Sequence, residues 1–97
     1  MAFAIKADNA GMLNRVLEDL GYTQSLGFSR VAGPIVPLVD ACNKETEIVI
    51  KIKFDDEYFV IDAVDYRDGF GGQTSFEALE EVELNLLEQG VGIYRQW

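Results

Sequence analysis

Apolar side chains recur along this chain with two different periods, and each change of period marks an element. Met12, Leu13, Val16, Leu17 and Leu20 return every three or four residues, which puts them on one face of a helix over 10–20. Asp8 or Asn9 is suited to cap its start, and Gly21 is a suitable left-handed stop just past its end. Ahead of it, Phe3-Ala4-Ile5 is a short strand candidate. From Ile48 to Phe54 the period drops to two. Ile48, Ile50, Ile52 and Phe54 share one face, with Val49, Lys51 and Lys53 on the other. Asp55-Asp56-Glu57 then reads as a hairpin turn, and Tyr58 to Asp65 as the returning strand. Phe59, Ile61 and Ala63 share a face of that strand with Asp65, while Tyr58, Val60 and Val64 share the opposite face with Asp62. Both faces are therefore largely apolar, which predicts a central position in the sheet.

A glycine-rich loop, Arg67 to Gln73, separates this hairpin from a second helix. Thr74 and Glu77 fit a capping box that opens it. Phe76, Leu79, Val82 and Leu86 form its buried stripe with Leu87 beside it, and Gly90 ends it. Ile93 to Trp97 is a candidate closing strand. Residues 21–47 lack a clear period. Gly27, Gly33, Pro34 and Pro37 punctuate them, which predicts an irregular insertion holding a short strand at Phe28–Val31 and one helical turn between Pro37 and Asn43. The expected fold is α+β in a single domain, 1–97. A small antiparallel sheet carries two helices on one face, in a ferredoxin-like β-α-β-β-α-β order with the insertion at 21–47.

The runs Leu17-Glu18-Asp19-Leu20-Gly21-Tyr22, Glu47-Ile48-Val49-Ile50 and Tyr58-Phe59-Val60-Ile61-Asp62, with the closing Arg95-Gln96-Trp97, resemble a family of small cyanobacterial and plastid proteins of unassigned function. The likeness implies the same general fold and carries no site residue.

Composition narrows the chemistry. With 97 residues, 48% of them hydrophobic, ordinary core burial suffices for folding. Cys42 is the single cysteine, so no disulfide can form within the chain, and a reducing, cytoplasmic home is expected. The first eight residues have neither a basic stretch nor a long apolar run, so no signal peptide is expected there. No apolar run reaches the roughly 18 residues of a membrane span. The chain has no histidine, which removes the commonest general base and the commonest metal ligand.

The charge is unevenly placed. Residues 1–53 hold six acids and six bases, whereas 54–97 hold eleven acids and only Arg67 and Arg95 as bases, so the net −9 lies wholly in the C-terminal part. Direct contact with nucleic acid or an anionic membrane is disfavoured, since both need clustered Lys and Arg. A basic protein surface is favoured. The densest acidity is on the second helix, where Glu77, Glu80, Glu81, Glu83 and Glu88 fall within twelve residues without a Lys or Arg. Asp55, Asp56 and Glu57 add to it at the hairpin turn. On a helical wheel Glu77, Glu81 and Glu88 lie furthest from the apolar stripe, and Glu80 and Glu83 fall on another face.

Other candidate sites are weaker. Gly69-Phe70-Gly71-Gly72 lacks the Gly-Lys-Ser/Thr ending of a phosphate loop and follows Asp68, which would repel phosphate. Asp62, Asp65 and Asp68 miss the alternate spacing of a calcium loop. Asp62, Asp65 and Glu77 are the carboxylates available for acid–base work, with nothing in the pattern to raise a pKa. Cys42 is expected to pack as a small apolar residue. No catalytic residue, metal or cofactor is expected.

The leading expectation is a non-enzymatic inhibitor whose acidic surface docks on a basic, nucleic-acid-handling partner by nucleic-acid mimicry. Such a protein would be of the phage or mobile-element anti-CRISPR or anti-restriction kind, or an immunity protein for a cationic toxin. The alternative is a small accessory or ligand-binding domain whose acidity serves solubility. A homodimer through the C-terminal strand is a further candidate assembly, because an unpaired end would expose Tyr94 and Trp97.

Overall fold

A computed structural model describes residues 2–30, 35–65 and 73–95. The elements run β1 (Phe3–Lys6), α1 (Ala10–Asp19), β2 (Thr23–Arg30), β3 (Ile35–Cys42), β4 (Ile48–Asp55), β5 (Tyr58–Asp65) and α2 (Gln73–Glu88), with a short 3-10 turn at Ala7–Asn9. The strands form one antiparallel sheet in the order β1-β5-β4-β3-β2. Both helices pack on one face of it. The class is therefore α+β as expected, but the element order is not β-α-β-β-α-β.

The difference lies in residues 21–47 and after α2, which no strand follows among the described residues. The expected insertion is a β-hairpin, and the helical turn expected between Pro37 and Asn43 is part of strand β3. Pro37 is tolerated there because β3 pairs with β4 only from Val39 to Cys42, while Pro37 faces Phe28 of β2. A strand paired on one side alone can do without one amide donor. Sequence periodicity missed this hairpin because its glycine and prolines weaken the strand pattern, while long-range pairing with β4 supplies the missing preference. The turn from β3 to β4 has a legible sequence signal in Asn43. The Asn43 side-chain oxygen accepts from the Glu45 and Thr46 amides at 3.0 and 3.3 Å, and Glu47 takes a left-handed φ of 61°.

The β4–β5 hairpin follows the alternation closely. Asp55 pairs with Tyr58 and Ile48 with Asp65, so Asp56 and Glu57 alone form the turn. β5 lies between β1 and β4, in keeping with its two apolar faces. The inner face of the sheet presents Phe3 and Ile5, Phe59, Ile61 and Ala63, Ile48, Ile50 and Ile52, and Ala41. These residues close over Leu13, Val16 and Leu17 of α1 and Ala78, Leu79, Val82 and Leu86 of α2. Leu17, Ile50, Ile61 and Val82 are fully buried, with Leu79 at 2%. These five form the expected core.

Both helices stop in the same way. After α1, Gly21 (φ 88°) donates to Glu18 at 3.0 Å and Tyr22 donates to Leu17 at 2.9 Å. After α2, Gly90 (φ 80°) donates to Leu87 and Val91 to Leu86, both at 3.0 Å. In each case the paired bonds are those of the Schellman stop, and the residue beyond the glycine, Tyr22 or Val91, is buried in the same core as the leucine whose carbonyl it meets. Starts differ from expectation. Asn9 is the N-cap of α1 but makes no side-chain cap bond. α2 opens at Gln73, so Thr74 lies inside its first turn rather than capping it. The backbone there begins winding one to two residues before the Thr-x-x-Glu pattern would start it.

Candidate protein-docking surface

The closing segment decides the surface of α2. Turned back at Gly90, the chain reaches the outer edge of β1. The Ala4 amide donates to the Tyr94 carbonyl at 2.7 Å, and the Tyr94 amide donates to the Ala4 carbonyl at 2.9 Å. The expected strand 93–97 is thus a single bridge within the described residues, and Gln96 and Trp97 lie outside them. Tyr94 also meets Tyr58 edge-on, with ring centroids 5.3 Å apart. One residue later, Arg95 Nε donates to Glu83 Oε1 at 2.5 Å.

That contact removes Glu83 from the acidic face. Glu83 is only 8% exposed, on the flank of the buried stripe, and its cation comes from twelve residues further along the chain. The expectation that all five glutamates of α2 lack a basic partner is therefore corrected. Helical periodicity could not reveal it, because the partner belongs to a different segment.

The remaining glutamates, Glu77, Glu80, Glu81 and Glu88, are exposed. At about 100° per residue they fall within an arc of about 100°. The arc follows from helical spacing alone and joins Glu80 to Glu77, Glu81 and Glu88; the structure adds that all four are exposed while Glu83 is buried. Asp55, Asp56 and Glu57 are exposed too, but they belong to the sheet layer at the β4–β5 turn, where the Glu57 carbonyl accepts from the Ala7 amide at 2.9 Å. Burial pushes the pKa of the Tyr22 hydroxyl up to about 12, with the carboxylate of Glu81 and the thiol of Cys42 adding to the shift. Two leucines on the ridge are exposed, Leu84 at 52% and Leu87 at 41%. Helical spacing sets Leu87 beside the buried stripe and gives Leu84 no place in it.

The other face of the sheet carries Lys6, Lys51 and Lys53. Lys51 sits in register between Asp40 and Asp62. The Asp62 carboxylate accepts from the Ala63 amide at 2.8 Å. Asp62 and Glu77 thus lie on different elements, one in the sheet and one on a helix. The side chain of Asp65, and Asp68 and the loop Gly69–Gly72, lie outside the described residues. Cys42 is a free, half-buried thiol in β3. No cluster of three or more metal-ligating side chains occurs among the described residues. None of the described helices is long and apolar enough to cross a membrane.

No family model matches the chain, and neither a curated protein nor a solved structure shows significant similarity to it. The resemblance to small cyanobacterial and plastid proteins gains nothing from these comparisons.

Proposed function

We propose that this protein is a non-enzymatic, acidic, protein-binding inhibitor that docks on a basic, nucleic-acid-handling partner. Its carboxylates would occupy an Arg/Lys groove meant for phosphate, and the opposed fields would speed encounter. A phage or mobile-element antagonist of a CRISPR or restriction complex is the most concrete form, with an immunity protein for a cationic toxin as a variant. The observation that carries the reading is the ridge of α2. Glu77, Glu80, Glu81 and Glu88 are all exposed on one arc, in the half of the chain that holds the whole net charge of −9. A cytoplasmic location fits such a target.

Capture from a cell lysate at low and high salt, with the wild-type protein and a Glu77→Lys/Glu81→Lys/Glu88→Lys variant as baits, tests the proposal. Recovery of a basic nucleic-acid enzyme should fall with salt and vanish with the reversals, while the melting temperature stays nearly unchanged. Equal recovery by both baits at all salt concentrations would reduce the acidity to a solvating coat.

A second reading, a small accessory or ligand-binding domain, draws on a cleft of about 290 Å³ lined by Leu20, Gly21, Thr23, Asn43, Lys44 and Glu45. A small molecule that copurifies and is lost on blocking that cleft would favour it. For the architecture, we read a ferredoxin-like core to which the β2–β3 hairpin has been added at the edge. What supports this is that β1 lies between the Tyr94 segment and β5. A homodimer through the same edge would have to displace the chain's own bridge at Ala4.

A further inference from the structure

Acidity alone does not account for the ridge of α2, because one exposed leucine lies within it and another borders it. Leu84 and Leu87 are the two most exposed large hydrophobic residues described. At about 100° per residue, Leu84 lies inside the arc of the four exposed glutamates and Leu87 at its border beside Glu80. Positions 77, 80, 84 and 87 step by three, four and three residues, the spacing of a continuous helical seam about 15 Å long.

We infer that this seam is a docking site for a cationic amphipathic polypeptide segment. An apolar side chain of the partner seats on Leu84 and Leu87, and Lys or Arg residues beside it meet Glu77, Glu80, Glu81 and Glu88. The inference rests on the basic partner of the proposed function and puts an amphipathic segment of that partner in place of the phosphate groove. Charge complementarity selects the occupant. A second copy of this chain would also cover two leucines, but it would oppose two sets of four glutamates across one seam, and like charges in contact disfavour that pairing. A uniformly basic phosphate groove would satisfy the carboxylates yet press hydrated cationic heads against the leucines. An amphipathic segment satisfies both. In such a contact the glutamates act mainly on the association rate, and the leucines on the lifetime of the complex.

Two synthetic helical peptides of equal length and charge serve as probes. One carries leucines at seam spacing among lysines, and the other has serine in place of each leucine. Titration calorimetry with the full chain should show the leucine peptide binding about tenfold or more tightly than the serine peptide. A Leu84→Ser/Leu87→Ser variant should lose that advantage and keep its affinity for the serine peptide, with an unchanged thermal melt. If this variant still binds the leucine peptide as the wild type does, the seam inference is overturned while the acidic-surface reading stands. If reversal of all four glutamates to Lys also leaves both affinities intact, that reading falls with it. A wild-type dimer in sedimentation that the leucine variant abolishes would assign the seam to a second copy and overturn the inference.

Discussion

Glu83 and Arg95 tie the end of the chain to α2, and the two sides of this pair should respond unequally to truncation. The side chain of Glu83 keeps 10% of its exposure and that of Arg95 keeps 66%. In Glu83→Ala, the guanidinium left behind is already largely in water, so the loss is limited to the screened attraction of the pair, about 1 kcal/mol. In Arg95→Ala, a nearly buried carboxylate is left without its cation. The cost should be about 2–3 kcal/mol, below the roughly 3–5 kcal/mol of a fully buried pair because the arginine side is wet. For a domain of about 100 residues, each 1 kcal/mol moves the melting temperature by roughly 4–8 °C, so the two variants separate clearly. Adding Glu83→Gln to Arg95→Ala removes the stranded charge and should recover much of the loss. Urea unfolding followed by circular dichroism reads all three, with Glu80→Ala as the exposed control. The reasoning is refuted if Arg95→Ala costs no more than Glu83→Ala, or if both match the control.

Two further expectations concern the core and the pH dependence of stability. Leu17→Ala and Ile50→Ala each open a cavity at a fully buried site and should cost about 2–4 kcal/mol in urea unfolding; a loss under about 1 kcal/mol would mean that the inner face of the sheet is not sealed by the helices. Tyr22 has a folded-state pKa raised to about 12 from the ordinary 10.0, so its contribution is complete below about pH 10 and is lost as pH rises through 12. An ultraviolet titration should show a late tyrosine step near pH 12, and Tyr22→Phe should remove that step and flatten the fall in stability; a titration curve that Tyr22→Phe leaves unchanged near pH 12 would contradict the burial.

Where periodicity was strong, the sequence was a good guide. The apolar face of 10–20 lies against the sheet, Ile48–Phe54 and Tyr58–Asp65 pair as a hairpin, and β5 is central. It failed where local signals conflicted. In 21–47, Gly27 and Pro37 outweighed the short apolar alternations, although pairing with β4 makes β3 a strand. On α2, Glu83 lies four residues after Leu79 and three before Leu86, so the wheel sets it beside the buried stripe and Glu80 outside it, a signal the grouping of the two glutamates overlooked; the ion pair with Arg95 was beyond the reach of the wheel.

The chain's own residues therefore determined the elements with a clear period, the α+β class, the glycine stops and the placing of all net charge after residue 53. These depend on neighbours within a few positions, or on simple counting. Tertiary structure alone decided that Glu83 is paired with Arg95 and withdrawn from the exposed acids of α2. The turn at Gly90 and the bridge between Tyr94 and Ala4 bring Arg95 to Glu83, bury that carboxylate and leave a seam of four glutamates around Leu84 and Leu87. The physical reason is that an ion pair and a burial are set by separation in space, and here the two partners are twelve residues apart on different segments.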